Sequence, residues 1–227
     1  MHQYDPAFIA AIPKTDLHVH LDGSIRLETL LDLAKKDGVQ LPAESAEGLK
    51  REVFKESYAS LDEYLRGFGL TNKVLQSAEN LERVSYELAM DNSKEGVRHL
   101  EVRFAPQLHI NENLSYEDVM RAVDGGLKRA TAEINAALGE DEPPFDYGII
   151  VIAMRFFAAN FSEYYRRLFE VHPYSDSSDI IKLASLELAR ATVKLREESN
   201  LRIVGFDLAG SESGYPAKDH EAAFDYV

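Results

Sequence analysis

Tyr147-Gly148-Ile149-Ile150-Val151-Ile152-Ala153-Met154 is a run of mostly aliphatic residues that carries no charge. It is too short to cross a bilayer, which takes roughly 20 apolar residues. Its β-branched content reads as a strand, and the lack of a polar face predicts cover on both sides, as in a parallel sheet. Three other segments read as strands around it. Thr15 to Leu21 sets Leu17, Val19 and Leu21 against Asp16, His18 and His20. Val97 to Phe104 sets Val97, His99, Glu101 and Arg103 against Arg98, Leu100, Val102 and Phe104. Arg202 to Leu208 contains Ile203, Val204 and Phe206. Period-two alternation with β-branched residues is the strand signature.

The stretches between them carry helical spacing. Leu27 to Lys36 places Leu27, Leu30, Leu31 and Ala34 on one face, with Gly38 as a stop. Leu61, Leu65, Phe68 and Leu75 continue such a pattern, and Leu81 to Lys94 forms a third helix that ends at Gly96. Tyr116 to Leu138 is a fourth, with Ser115 as N-cap and Gly139 as stop, and Ile180 to Glu198 is a fifth. Gly139 to Pro144 reads as a loop within one domain. Phe156 to Ser178, rich in Tyr and Phe, is expected to form a satellite packing cluster, with a lid or contact surface as the alternative. Asp219 is expected to cap a last helix through Ala222, Ala223, Tyr226 and Val227.

Strand alternating with helix means parallel crossovers, and two architectures meet that rule: an open doubly wound sheet and a (β/α)₈ barrel. No glycine-rich phosphate loop follows any strand, which counts against the first. Polar residues gather instead at the strands' C-terminal ends: His18, His20 and Asp22, then Arg103 and His109, then Arg155, then Asp207 and Gly210. Barrel active sites are built at that face, so the fold class is α/β, of the (β/α)₈ barrel type. Only about the first four β/α units are visible, where a closed barrel needs eight. Residues 1–227 are therefore expected to be the N-terminal part of a single barrel domain in a longer protein.

Composition removes several functions. Lys and Arg number 25 and Asp and Glu 39, for a net charge of −14. So acidic a chain is unsuited to a nucleic-acid backbone or an anionic membrane. With 45% hydrophobic and 10% aromatic residues it has the makings of a real core. There is no cysteine, so disulfides, thiol nucleophiles and Cys-containing zinc sites are excluded. A metal here must use His and carboxylate ligands. Met1 to Phe8 lacks the basic-then-apolar pattern of a signal peptide, and a cytoplasmic location is the default expectation.

Asp16-Leu17-His18-Val19-His20-Leu21-Asp22-Gly23 carries the chemistry. Residues two apart on a strand share a face at about 6.5–7 Å, so two imidazoles there can converge on one ion. A metal at an open strand end can activate water. A catalytic zinc needs a third ligand, and of the other histidines (His2, His99, His109, His172, His220) only His109 lies just past a strand end.

Pro13-Lys14-Thr15-Asp16-Leu17-His18-Val19-His20-Leu21-Asp22-Gly23-Ser24 resembles the opening of the adenosine deaminase family. Glu101 to Pro106 resembles that family's second-strand motif, Ala153 to Arg155 its third-strand end and Gly205 to Gly210 its fourth. Order and spacing agree along nearly the whole chain. The resemblance implies a (β/α)₈ barrel and hydrolytic deamination of a purine nucleoside: water activated at a metal attacks C6, a glutamate protonates N1, and ammonia leaves. It implies that His18 and His20 are metal ligands, with zinc expected. It implies that His20, Asp22 and Gly210 meet the substrate, Asp22 at the ribose and the Gly210 N–H at a purine nitrogen. Leu61, Tyr64, Leu65 and Phe68 match the family's apolar gate helix, with plain core packing as the alternative. Arg103 and Arg155 are read as holding the strand ends, with Glu101 or Asp207 as partners.

Departures from the family pattern matter as much. The His-Ala-Gly-Glu motif, the later water-orienting histidine and the late aspartate pair are absent, and are expected beyond Val227. No catalytic residue is therefore assigned in this chain, which by itself is expected to be inactive. Ser211 stands where the family often has aspartate, and Glu212 reads as a surface carboxylate. Two alternatives stay open. One is a metal-dependent phosphoesterase, because some such families also open with Asp-Leu-His-x-His. The other, if 227 residues are the complete chain, is a non-enzymatic metal-binding module, in which two half-barrels could pair.

Overall fold

The computed structural model describes residues 4–227; Met1 and His2, part of the N-terminal stretch read above, lie outside them. The described elements run α1 (Pro6–Ala11), β1 (Lys14–His20), α2 (Leu27–Asp37), α3 (Ala46–Glu52), α4 (Leu61–Val74), α5 (Ala78–Lys94), β2 (Val97–Phe104), α6 (Tyr116–Ala137), β3 (Asp146–Met154), α7 (Glu163–Val171), α8 (Ser177–Glu198), β4 (Ile203–Ala209) and α9 (Glu221–Tyr226). Short 3₁₀ turns cover Pro106–Leu108 and Ala217–His220.

The four strands are parallel and lie in the order β1-β2-β3-β4. Doubly wound sheets reverse their order at a switch point. This sheet has no reversal, so of the two architectures the barrel type is the one observed. Val102 pairs with Ile149, and Val151 with Phe206, so the aliphatic third segment is flanked by a strand on each side.

One main core joins the sheet to its helices. Leu100, Val102 and Phe104 of β2 and Tyr147, Ile149 and Val151 of β3 meet Leu30 and Leu33 of α2, Leu81 and Leu88 of α5 and Val123 and Leu127 of α6. Each such side chain contributes roughly 1.5–3 kcal/mol on burial. A second cluster gathers Ile152, Phe157, Tyr165, Ile180 and Ala184, with the Phe157 and Tyr165 rings stacked at 3.8 Å. The aromatic stretch after β3 is thus the expected satellite cluster, organised by α7.

Helix ends follow the side chains that can satisfy free N–H groups. Ser115 starts α6 with a reciprocal cap: its Oγ accepts from the Asp118 N–H at 3.2 Å, and its own N–H donates to Asp118 Oδ2 at 3.1 Å. Ser60 starts α4 by accepting from the Glu63 N–H at 3.1 Å. Two expectations need correction. Asp219 does not cap the last helix; it lies inside the 3₁₀ turn, and α9 begins after His220 without a side-chain cap. The sequence reading also left out α1, α3 and α7, which are only six, seven and nine residues long and too short for a clear apolar period.

Helices α5 and α6 approach closely because Gly126 has no side chain. A Cβ there would lie 2.2 Å from the Glu82 carbonyl oxygen and 2.2 Å from Ser85 Oγ. Gly126→Ala is expected to force the helices apart and destabilise the protein by about 1–3 kcal/mol, the usual cost of overpacking, read from denaturant unfolding. His109 sets an acid limit. It is fully buried, and desolvation lowers its pKa to about 4 against a partial rise from Asp22 and the Leu75 carbonyl. The unfolded chain takes up this proton first, near the ordinary value of 6.5. Its contribution is therefore complete above pH 6.5 and is lost as pH falls toward 4, by about 3 kcal/mol in all. Unfolding curves between pH 7 and 4 should show this loss, and His109→Asn should flatten it.

Candidate active site

The site forms where β1 ends. Pairing of β1 with β2 is irregular between Asp16 and Val19 and regains register at His20↔Arg103. The chain then turns: Leu21 N–H donates to the Arg103 carbonyl at 3.0 Å, and Ser24 Oγ donates to the His20 carbonyl at 2.6 Å. The His18 and His20 rings come within 5.6 Å of each other, at 51°. Asp22 is buried beside them, with Oδ1 3.6 Å from His20 Nδ1.

Arg103 lies under this pair and is only 3% exposed. Its Nη1 is 2.9 Å from His18 Nδ1 and 2.7 Å from Nε2. A neutral imidazole has one acceptor nitrogen, so the guanidinium donates to whichever lacks the proton. Nη2 contacts Asp207 Oδ2 at 2.8 Å and donates to the Leu208 carbonyl at 3.2 Å. Asp207 is thus the partner expected for Arg103. Glu101 is not; it faces His99, at 3.6 Å. Desolvation, with the positive charges of Arg103 and His20, holds the His18 pKa below its ordinary value. His18 is therefore neutral at pH 7, as a metal ligand must be.

The donors fit a metal in part. His20 has Asp22 beside Nδ1, the arrangement that leaves Nε2 for an ion. His18 presents an edge that already draws a cation, the Arg103 guanidinium, which must move aside for an ion to bind that nitrogen. Among the described residues no group of three or more His, Asp or Glu side chains comes together to hold an ion. His109 supplies no third ligand: it is fully buried and its Nδ1 is engaged by the Leu75 carbonyl at 2.9 Å.

The stripe on α4 is not core. Leu61 is 54% and Tyr64 44% exposed, while Leu65 and Phe68 are half-buried. Phe68 sets its edge against the His20 ring at 5.8 Å, and Tyr64 meets Phe68 at 5.4 Å. Tyr58, which the sequence reading missed, extends this ladder by contacting Tyr64 at 5.2 Å. It precedes the Ser60 cap, so it lies outside the helical period that marked the others.

On the far side of the sheet, Gly210 ends β4 with φ +108°, a conformation that L side chains rarely adopt. The Arg155 N–H donates to the neighbouring Ala209 carbonyl at 2.8 Å. Arg155 also reaches Glu212 at 3.1 Å and the Tyr215 carbonyl at 3.3 Å. Glu212 is 81% exposed, the surface carboxylate expected. No helix among the described residues is long and apolar enough to cross a membrane.

With this geometry in hand, comparison with known proteins is specific. An adenosine deaminase from Clostridium botulinum (strain Hall) is 45% identical over 120 residues, 52% of this chain and 36% of that protein. One from Shewanella halifaxensis is 48% identical over 122 residues, 53% and 37% of the two chains. Adenine deaminase from Arthrobacter aurescens superimposes with a TM-score of 0.67 at 20% identity, over 95% of this chain and 54% of that one. An amidohydrolase from Burkholderia ambifaria, solved with bound zinc, gives a TM-score of 0.69 at 19% identity, over 97% and 50%. The chain thus spans about half the length of these solved structures, and its aligned segment about a third of the curated relatives. The family profile described as Adenosine deaminase matches residues 13–227, and this chain belongs to the adenosine deaminase family.

Proposed function

We propose that the protein hydrolytically deaminates a purine nucleoside, adenosine or a close analogue, to inosine and ammonia. The observation that carries this reading is the convergence of two imidazoles at the end of β1, beside a buried carboxylate and against the exposed stripe of α4.

His18 and His20 would hold the metal, zinc in this proposal, which when bound supplies Lewis-acid activation of a water. The chain's own residues do the rest of what this half contributes. Asp22, an acceptor at the inner end of the site, takes a sugar hydroxyl, and its charge opposes a phosphate there. Gly210 offers its N–H to a purine ring nitrogen, which a side chain at φ +108° would crowd. Leu61, Tyr64, Leu65 and Phe68 cover the base and exclude water. His20 would both hold the metal and meet the substrate. Arg103 ties the ends of β2 and β4 together.

The same proposal reads residues 1–227 as the first part of one barrel domain that works in the cytoplasm. Later strands would bring the remaining ligands, the proton-donating glutamate and the water-orienting histidine. This part alone is then inactive. The Asp22 carboxylate favours an uncharged nucleoside over the phosphate ester of the alternative reading.

The test uses the protein made from its natural gene. Adenosine turnover with stoichiometric zinc is expected. His18→Ala and His20→Ala should each lose bound zinc and lower kcat/KM by more than about 100-fold, the upper range for losing a mere outer contact to a metal site. Unchanged turnover in both variants would remove the assigned ligands. Hydrolysis of a generic phosphate ester with none of adenosine would move the protein to the phosphoesterase reading. Zinc bound without either activity would leave a metal-binding module.

A further inference from the structure

Arg155 follows the last residue of β3, and the proposed reaction gives it no part. It holds the loop after β4 at both ends. Its own N–H donates to the Ala209 carbonyl at 2.8 Å, where that loop starts. Its guanidinium, only 15% exposed, donates from Nη1 to the Tyr215 carbonyl at 3.3 Å, where the loop ends. The next residue, Phe156, packs its ring on Tyr215, with centroids 4.7 Å apart at 30°. Within the loop, the Tyr215 N–H donates to the Glu212 carbonyl at 3.2 Å, so residues 212–215 form one closed turn. The bond from Nη2 to the exposed Glu212 carboxylate, at 3.1 Å, is screened by water and adds little.

These ties settle where one N–H points. The Ala209–Gly210 peptide is trans, so the Ala209 carbonyl and the Gly210 N–H point in opposite directions. The carbonyl faces β3 through its bond to Arg155. The Gly210 N–H therefore points away from β3, toward the side of β4 on which no described strand lies. Among the described residues it has no acceptor. Glycine is a soft place for such a donor. At φ +108° there is no Cβ to limit rotation of the chain beyond it, and Gly214, at φ +84°, is a second soft point within the loop. The stiffness must come from outside the loop, and Arg155 and Phe156 supply it.

We propose that Arg155 is a positioning residue for recognition of the base. By fixing both ends of the loop, it aims the Gly210 N–H at one acceptor nitrogen of the purine. Its guanidinium acts through Gly210 and not by contact with the ligand, and Phe156 supports it through Tyr215. This inference rests on the nucleoside reading above and deepens it.

The test uses the protein made from its natural gene, with inosine and its 3-deaza and 7-deaza analogues as calorimetric probes. Each analogue replaces, by C–H, one of the two ring nitrogens of the base that can accept a hydrogen bond. The wild type should bind one analogue about tenfold more weakly than inosine, the size expected for one lost hydrogen bond to a ligand. Arg155→Met keeps the backbone N–H and much of the side chain's bulk but lacks the guanidinium. It should bind inosine about tenfold more weakly than the wild type, yet bind that one analogue as the wild type does. Arg155→Lys, which keeps a cationic donor for the Tyr215 carbonyl, should recover part of the loss. Should the methionine variant fail to fold, Tyr215→Leu, which loses the ring packed on Phe156, decides by the same comparison. A purely structural role would weaken all three ligands alike. That result, or wild-type affinity for inosine in the variants, overturns the proposal. A wild type that does not distinguish the three probes also overturns it, by removing Gly210 from the base, and leaves deamination standing. A wild type that distinguishes them but does not deaminate adenosine sinks the deaminase reading and leaves this inference standing. A wild type that binds no nucleoside removes both.

Discussion

One guanidinium holds the C-terminal ends of the strands together. Arg103 rises from β2, passes β3, and meets Asp207 and the Leu208 carbonyl on β4. On its other side it faces His18 on β1. A cation this deeply buried is tolerated only with its partners in place, because an uncompensated charge in a low-dielectric interior is costly. The strand ends are therefore bound to one geometry. The two imidazoles inherit it, since His20 is in register with Arg103 itself.

Other buried polar groups differ in how completely they are paired. The Tyr165 hydroxyl donates to Gln107, and Gln107 in turn donates to the Ala184 carbonyl, so those polar groups are satisfied inside the second core cluster. Asp22 and His109 are buried with acceptors left over. His220, near the far end of the chain, is likewise buried with no hydrogen-bond partner on either ring nitrogen.

Much of the fold was legible because burial writes periodicity into the chain. The second strand agrees with the structure residue for residue, the third shifts by one residue at its start, and the first and fourth shift by one residue at both ends. Ser115 could be read as a cap because Asp118 stands three residues on, where it can answer the cap's own N–H. The short helices were invisible, since six to nine residues hold too few turns to show a stripe. Of the candidate site, His18, His20, Asp22, Gly210 and the α4 stripe were named from local motifs. Tyr58 was missed because it lies before the helix cap and joins the ring ladder only in space.

The sequence by itself determined that the chain is α/β with parallel strands, that any metal must use His and carboxylate ligands, and that a pair of histidines lies at the end of the first strand. These follow from residue type and spacing, which are local. Tertiary structure decided which of two candidates partners Arg103, that the α4 stripe is exposed rather than core, and that His109 is walled off from the other two histidines. Those outcomes depend on how segments 34 to 105 residues apart approach one another. Only packing of the sheet against its helices sets that approach. Spacing along the chain does not record it.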